Sequence, residues 1–473
     1  MAPRDPTLPP PDEPDIASEM VDLRERPPEP LAVAPSSLGV WELAWPTIVA
    51  FGAQTLVRFA DFAMVGSLGP EALAAVGLGG QVYWLVQSIA MLVPTGLAAV
   101  LARAVGAGEL GRADAVLRQS LLLAGLLAAA TTVAGLPFTD FAIEIYGVDQ
   151  GVVALGSTYV WWLLWGTIPF ALSFVFGAAV RAAGDARTPL YVGIVTNLLN
   201  VFLNWVLIYG HLGMPAYGVA GAAVASSLAM AVQLVLFWWM WRAHRLILIP
   251  GDAGWRPDRA LIRSIVVIGY PASIEQGLFQ IGLLGFQRIM SLYGTSAIAA
   301  YNVGAQILSF SFIPGVGFAT AAATLVGQHL GAGDPDAAAK SGWRSTLGAV
   351  ASMTLVGGTV VMFAEPLARV FTDDPEVISL TVDFIWILGL VQPLMAMEFA
   401  VGGSLRGAGD TFFPMVSVFI GLFLVRLIPA TCLVLFADVP VQWIWCALIA
   451  DYLTKAVLLT LRFRRGAWRS IEV

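Results

Sequence analysis

Stretches of twenty or more mostly apolar residues recur about twelve times along the chain, separated by short charged connections. A helix rises about 1.5 Å per residue, so roughly 20 such residues cross the hydrocarbon of a bilayer. That pattern excludes a soluble fold. Composition agrees: 58% of residues are hydrophobic and 12% charged, with a mean hydropathy of +0.79, whereas soluble domains carry about a quarter charged residues. Within each stretch the apolar positions are continuous or follow the helical period, which excludes the alternating strands of an outer-membrane barrel. The fold class expected is an all-α membrane protein of twelve spans, at residues 41–66, 72–102, 114–136, 151–180, 189–210, 217–241, 260–292, 296–329, 341–364, 376–404, 413–436 and 441–463.

The net charge of −7 matters less than where the charges lie. One set of alternate connections holds Arg103, Arg112, Arg118, Arg181, Arg187, Arg242, Arg245, Arg256, Arg259, Arg263, Lys340, Arg344 and Arg406. The other holds Arg369 with acids such as Asp140, Glu144, Asp373 and Asp374. The positive-inside rule then places both termini in the cytoplasm of a multi-pass protein of the cytoplasmic (inner) membrane. Residues 1–37, rich in Pro, Asp and Glu, read as a disordered cytoplasmic tail. Cys432 and Cys446 fall inside apolar segments, and His211, His244 and His329 share no metal-ligand spacing. No cofactor, nucleic-acid partner or enzymatic activity is indicated.

The chain repeats itself. Arg181-Ala-Ala-Gly-Asp185 returns 225 residues later as Arg406-Gly-Ala-Gly-Asp410. The same shift carries Pro46 onto Pro271, Gly69 onto Gly294, Gln81 onto Gln306, and Gly106-Ala-Gly108 onto Gly331-Ala-Gly333. Two fused copies follow: a first six-helix lobe at 38–241, a cytoplasmic linker at 242–259, a second lobe at 260–463 and a basic tail at 464–473. An even number of spans per copy makes the copies parallel, so an axis along the membrane normal relates them. Two such lobes enclose a central cleft in which alternating access can arise, and this implies transport.

These motifs, with Asp61-Phe-Ala-Met-Val-Gly-Ser-Leu-Gly-Pro-Glu-Ala-Leu-Ala-Ala-Val-Gly77 and Gly218-Val-Ala-Gly-Ala-Ala-Val-Ala-Ser226, resemble the multidrug and toxic compound extrusion (MATE) family, its DinF-type branch most of all. The resemblance implies a V-shaped cleft and antiport. Amphiphilic, often cationic, drugs or metabolites would leave in exchange for protons or sodium, with a monomer in the bilayer as the working unit. A flippase for lipid-linked sugars is the alternative, and it would need a strongly basic cleft.

Among polar residues within spans, Asp61 matches the family's first-lobe cation site, and a carboxylate there is costly unless paired, hydrated or functional. The competing reading has Arg58 neutralise it. Asn197, Asn200 and Asn204 form one helical stripe, and Asn200, Asn204 and Ser226 match positions around the family's first-span carboxylate. Hard oxygens at Asp61, Asn200 and Asn204 would accept sodium, while a titrating Asp61 would serve protons equally well. In the second lobe Phe286 stands at the position of Asp61, and Glu275 and Glu398 make a candidate acidic pair. The competing reading pairs them separately, with Arg288, Arg426 or Lys455. Asp451 and Lys455 read as an ordinary helix pair. Pro46 is a candidate hinge. Arg181, Asp185, Arg406 and Asp410 are expected to lock cytoplasmic loops, the arginines meeting helix-end carbonyls.

Overall fold

The computed structural model describes residues 39–251, 254–437 and 439–471. The expected 1–37 tail lies outside the described residues. Twelve long helices run in sequence: α1 Val40–Gly66, α2 Pro70–Gly106, α3 Leu110–Gly135, α4 Gln150–Ala182, α5 Arg187–Tyr209, α6 Gly218–Arg242, α7 Arg259–Met290, α8 Thr295–Gly331, α9 Pro335–Met362, α10 Pro375–Gly407, α11 Phe412–Phe436 and α12 Val441–Arg465. Eleven are long and apolar enough to span a bilayer. The exception, α7, has 32 residues but carries Glu275, Gln276, Gln280, Gln287 and Arg288. Two short helices, Thr139–Glu144 and Ala364–Arg369, fill the connections after α3 and α9. The expected spans stopped short of them, because six residues carry too little periodicity to be read.

Prolines shape the rods locally. Pro94 cannot donate to the Ala90 carbonyl, and α2 is interrupted at Met91 between two helical pieces. Helix α1 passes through the buried Pro46 without interruption, as α7 does through its counterpart Pro271. A π-helical segment, Ile420–Leu427, lies in the middle of α11 just before Pro429, whose missing N–H deprives the Val425 carbonyl of its ordinary partner.

Packing obeys the repeat. In the first lobe α4 packs on α2, α3 and α6, α5 packs on α1 and α6, and α2 packs on α3; in the second lobe each of these pairs recurs with both labels raised by six. The lobes meet through α1 with α8, α2 with α7, and α2 with α8, the first two contacts being related by the pseudo-axis. At the end of the bundle where α1 begins and α12 ends the backbones nearly touch. A Cβ on Gly106 would overlap the Gln328 carbonyl, and one on Gly331 would overlap the Arg103 carbonyl, the same contact seen from each lobe. The turns that follow need glycine too. Gly108 and Gly333 both have φ of +77°, and Gly184 and Gly409 have +102° and +89°, a region that side chains penalise. A backbone bond closes the helix at each turn. Asp185 N donates to Val180 O at 3.0 Å and Asp410 N to Leu405 O at 2.9 Å, the helix-end pattern in which main-chain donors satisfy the last carbonyls.

Side chains complete the seam at that end. Arg103 donates to Ala408 O at 2.8 Å and to Ile471 O at 2.6 Å. Gln328 donates to Ala182 O at 2.9 Å. The segment between α6 and α7 is strapped along α3, where the buried Asp114–Arg118 ion pair, 2.8 Å, binds the Gly251 backbone from both sides. Gly106→Val should therefore separate the lobes at this end, because overpacking here meets main chain that cannot rotate away. Spin labels placed across the seam should report a widened distance, while an unchanged distance would show that the contact does not hold the lobes together.

Candidate functional site

In the first lobe, Asp61 stands on the last third of α1, facing α5. Tyr209, at the end of α5, donates to the Met64 carbonyl at 3.0 Å and so pins the end of α1 beside it. Asn200 and Asn204 are one turn apart on the buried face of α5. Asn204 Nδ2 donates to Asp61 Oδ1 at 2.5 Å. The Asn200 amide has two useful orientations: its nitrogen donates either to Ser226 Oγ on α6 at 3.3 Å or to the two Asp61 oxygens at 3.1 and 3.3 Å. Four of the residues singled out from the sequence thus meet at one place. Asn197 takes no part in these bonds. Arg58 forms no ion pair with Asp61 among the described residues; its guanidinium lies over the Trp84 ring, 5.6 Å from the centroid.

This pocket holds one carboxylate, two amides and a hydroxyl. The buried Asn204 Oδ1 has no partner among the described residues, which is costly in an apolar interior. Turned toward a cation, the amide oxygens of Asn200 and Asn204, Ser226 Oγ and the carboxylate would make an all-oxygen set suited to a hard ion. The residues present therefore fit sodium as well as a proton.

The second lobe is built differently. Phe286, at the place of Asp61, is fully buried under the Arg426 guanidinium, 5.6 Å from its ring centroid. Arg426, on the π-helical segment, pairs with Asp451 of α12. Lys455, one turn further along α12, lies 3.4 Å from Asp451 and 2.9 Å from Glu398 of α10. Two acids and two bases from three helices thus cancel inside the lobe. Gly421 makes room for them, since a Cβ there would overlap Asp451 and Lys455. Asp451 and Lys455 are accordingly more than an ordinary helix pair. Arg426, named from the sequence as a possible partner of Glu275 or Glu398, is held by Asp451 instead.

The expected acidic pair is corrected. Glu275 is 3.0 Å from Arg406 and Glu398 is held by Lys455, so each acid has its own cation. The expectation for the arginines of the repeated turn is corrected with it. Arg406 and Arg181 do not cap helix ends, where the backbone of the turn already does so; both fold back along their own helices over Gly402 and Gly177 and line a central cavity of about 410 Å³ between the lobes. Arg288 bonds locally to Ser291 at 2.9 Å. The two aspartates have parted: Asp185 accepts from Arg187 N and Thr188 N, both at 2.9 Å, at the start of α5, whereas Asp410 pairs with Arg462 at 2.8 Å. The cavity walls carry Phe51, Phe174, Phe279 and Phe399. Trp161, Trp162 and Trp165 are instead exposed on the outside of α4, Trp161 in edge-to-face contact with each of the other two.

The MatE family model matches this chain twice, over residues 46–206 and 271–431, and the second match begins and ends 225 residues after the first. The chain belongs to the MATE family. Its curated MATE relatives include a probable multidrug resistance protein NorM of Thermotoga maritima, 33% identical over 442 residues that cover 91% of this chain and 93% of the relative. The multidrug resistance protein NorM of Burkholderia vietnamiensis is 28% identical, covering 91% and 96%. Solved structures of the same fold include a MOP superfamily transporter from Pyrococcus furiosus, with TM-score 0.86 and 23% identity over 92% of this chain and 96% of that one. A MATE transporter in an outward-facing conformation scores 0.84, at 23% identity over 90% and 94%. The twelve helices in two pseudo-symmetric lobes are thus the MATE architecture, and the protein is a transporter rather than an enzyme.

The buried charges of the second lobe give a direct test. Lys455→Met leaves Glu398 and Asp451 short of a cation and should cost on the order of 3 kcal/mol of stability, read as a lowered thermal midpoint in detergent. Adding Glu398→Gln should restore a large part of it. Equal midpoints for the wild type and Lys455→Met would mean that water, not Lys455, neutralises the acids.

Proposed function

We propose that this protein is a secondary active antiporter that exports amphiphilic small organic molecules, drugs or metabolites, across the cytoplasmic (inner) membrane in exchange for protons or sodium. The observation that carries this reading is Asp61. It is a carboxylate inside the first lobe, bonded to Asn204, within reach of Asn200, and without an ion-pair partner among the described residues. A structural carboxylate in hydrocarbon would be expected to hold a cationic side chain, as Glu398 and Asp451 do. One that holds only neutral amides is available to an exchangeable cation.

The coupling follows from what the amides must do. With Asp61 charged and empty, the nitrogens of Asn200 and Asn204 face it. With a proton or sodium bound, at least one amide turns its oxygen toward the site, and when Asn200 turns, its bond with the Ser226 hydroxyl on α6 reverses direction. Cation occupancy thereby changes the bonds among α1, α5 and α6. A cation that binds one arrangement of these helices more tightly shifts the lobe toward it, and substrate favours the other. The hinge role proposed for Pro46 sits on the same helix, where the missing donor makes bending cheap.

The basic connections support termini in the cytoplasm. On that orientation the seam at Gly106 and Gly331 closes the cytoplasmic end. The working unit we propose is a monomer. A flippase for lipid-linked sugars is not favoured, because a pyrophosphate would need several free cations and Arg406 and Lys455 are already paired.

In liposomes carrying the purified protein, a fluorescent amphiphile should move under an imposed proton or sodium gradient, and the gradient that works names the ion. Asp61→Asn should reduce that movement at least tenfold with the protein still folded. Wild-type activity in the variant would remove Asp61 from the coupling. Asn204→Leu, which takes away the shortest donor to the carboxylate, should shift the half-saturating cation concentration; an unaltered dependence would count against an amide role.

A further inference from the structure

The two arginines of the repeated turn occupy equivalent places in the two lobes and have different company. Arg406 is bound by Glu275, with both carboxylate oxygens within 3.3 Å. The residue that the 225-residue shift places opposite Arg181 is Ala50, so the acid is missing. Arg181 makes no ion pair and no side-chain hydrogen bond with any described residue. Its side chain lies along α4, where Gly177 leaves room for it, and it lines the central cavity half-buried. Glu275 and Glu398, the acids that also line this cavity, are neutralised by Arg406 and Lys455. The cavity therefore carries a surplus positive charge at Arg181, beside the rings of Phe51 and Phe174.

A guanidinium removed from bulk water and lacking an internal partner is costly, and its planar fork matches an oxyanion better than any other group. We propose that Arg181 binds the anionic head of the transported amphiphile, a carboxylate or a phosphate monoester, while the aromatic wall takes its apolar body. This rests on the export reading and narrows it, from substrates that are often cationic to ones that are anionic or zwitterionic. A single free arginine suits one singly charged oxyanion. Because the substrate would supply the acid that Ala50 does not, its binding would reproduce in the first lobe the bridge that Glu275 and Arg406 make in the second.

The probes are 11-(dansylamino)undecanoate, its neutral primary amide, and a dansyl-labelled short-chain phosphatidic acid, each titrated against the purified full-length protein by energy transfer from tryptophan. The wild type should bind the carboxylate at least tenfold more tightly than the amide, the scale of a charge-assisted hydrogen bond. Arg181→Gln should lose that tenfold and leave amide binding unchanged, with Arg181→Lys retaining most of it. Ala50→Glu, which supplies the missing acid, should weaken the carboxylate as Arg181→Gln does while keeping the cavity's charges paired.

Phosphatidic acid bound in the same Arg181-dependent way while the undecanoate shows no preference over its amide would make the oxyanion a lipid headgroup. Equal affinity for all three probes, or equal weakening of all three by Arg181→Gln, would overturn the proposal. Gradient-driven transport separates the two readings. Movement of the amide with no preference for an oxyanion defeats this proposal alone. Arg181-dependent binding without gradient-driven movement of any probe defeats the antiport reading alone.

Discussion

A charge within the hydrocarbon of a membrane has no water to fall back on, so it must be neutralised by the protein or be available to something that moves. Most of the interior of this transporter satisfies the first condition. Arg426, Asp451, Lys455 and Glu398 cancel in a cluster drawn from α10, α11 and α12, and Glu275 cancels Arg406 between α7 and α10. These contacts tie the helices of the second lobe to one another. Asp61, met by amides, and Arg181, met by no partner among the described residues, stand apart from these pairs. One is an acid within the first lobe and the other a base at the cleft, and both belong to the first half of the molecule.

The duplicated lobes explain how such a difference can arise without disturbing the fold. Each lobe uses the same helix contacts and the same glycine turns, so the backbone is supported twice over by one design. Side chains at equivalent positions were then free to diverge. Asp61 faces Phe286 across the pseudo-axis, the asparagines of α5 face Val425 and Pro429, and Ala50 faces Glu275. The second lobe's interior charges cancel one another. The first kept a polar interior whose hydrogen bonds can be exchanged, as an alternating-access device needs in at least one of its parts. Proposing the cation at Asp61 and the substrate head at Arg181 places both exchangeable ligands on the first lobe.

The seam at Gly106 and Gly331 has a related logic. Backbone brought against backbone needs no side-chain rearrangement to part, and the polar links there, from Arg103 and Gln328 to helix-end carbonyls, are few enough to be replaced by water. A broad interface of interlocked side chains would resist the rocking that transport requires.

The number of spans, their order, the duplication and the asparagine stripe were legible in the chain itself, whereas the grouping of Asp61 with Asn200, Asn204 and Ser226 was what the family resemblance implied. Hydropathy, helical period and a constant offset are all local or one-dimensional signals, and the asparagine stripe lies on a single helix face. Partner choice was not legible. Glu275 with Arg406, Glu398 with Lys455 and Arg426 with Asp451 join residues up to 131 positions apart, and helical period says nothing about which faces of separate rods meet. The same limit hid the direction of the arginines in the repeated turn. Their spacing marks a helix end, but only the packed lobes show that the turn's own backbone, with Gln328 and Arg103 of the neighbouring helices, serves that end and leaves both guanidinium groups to the cleft.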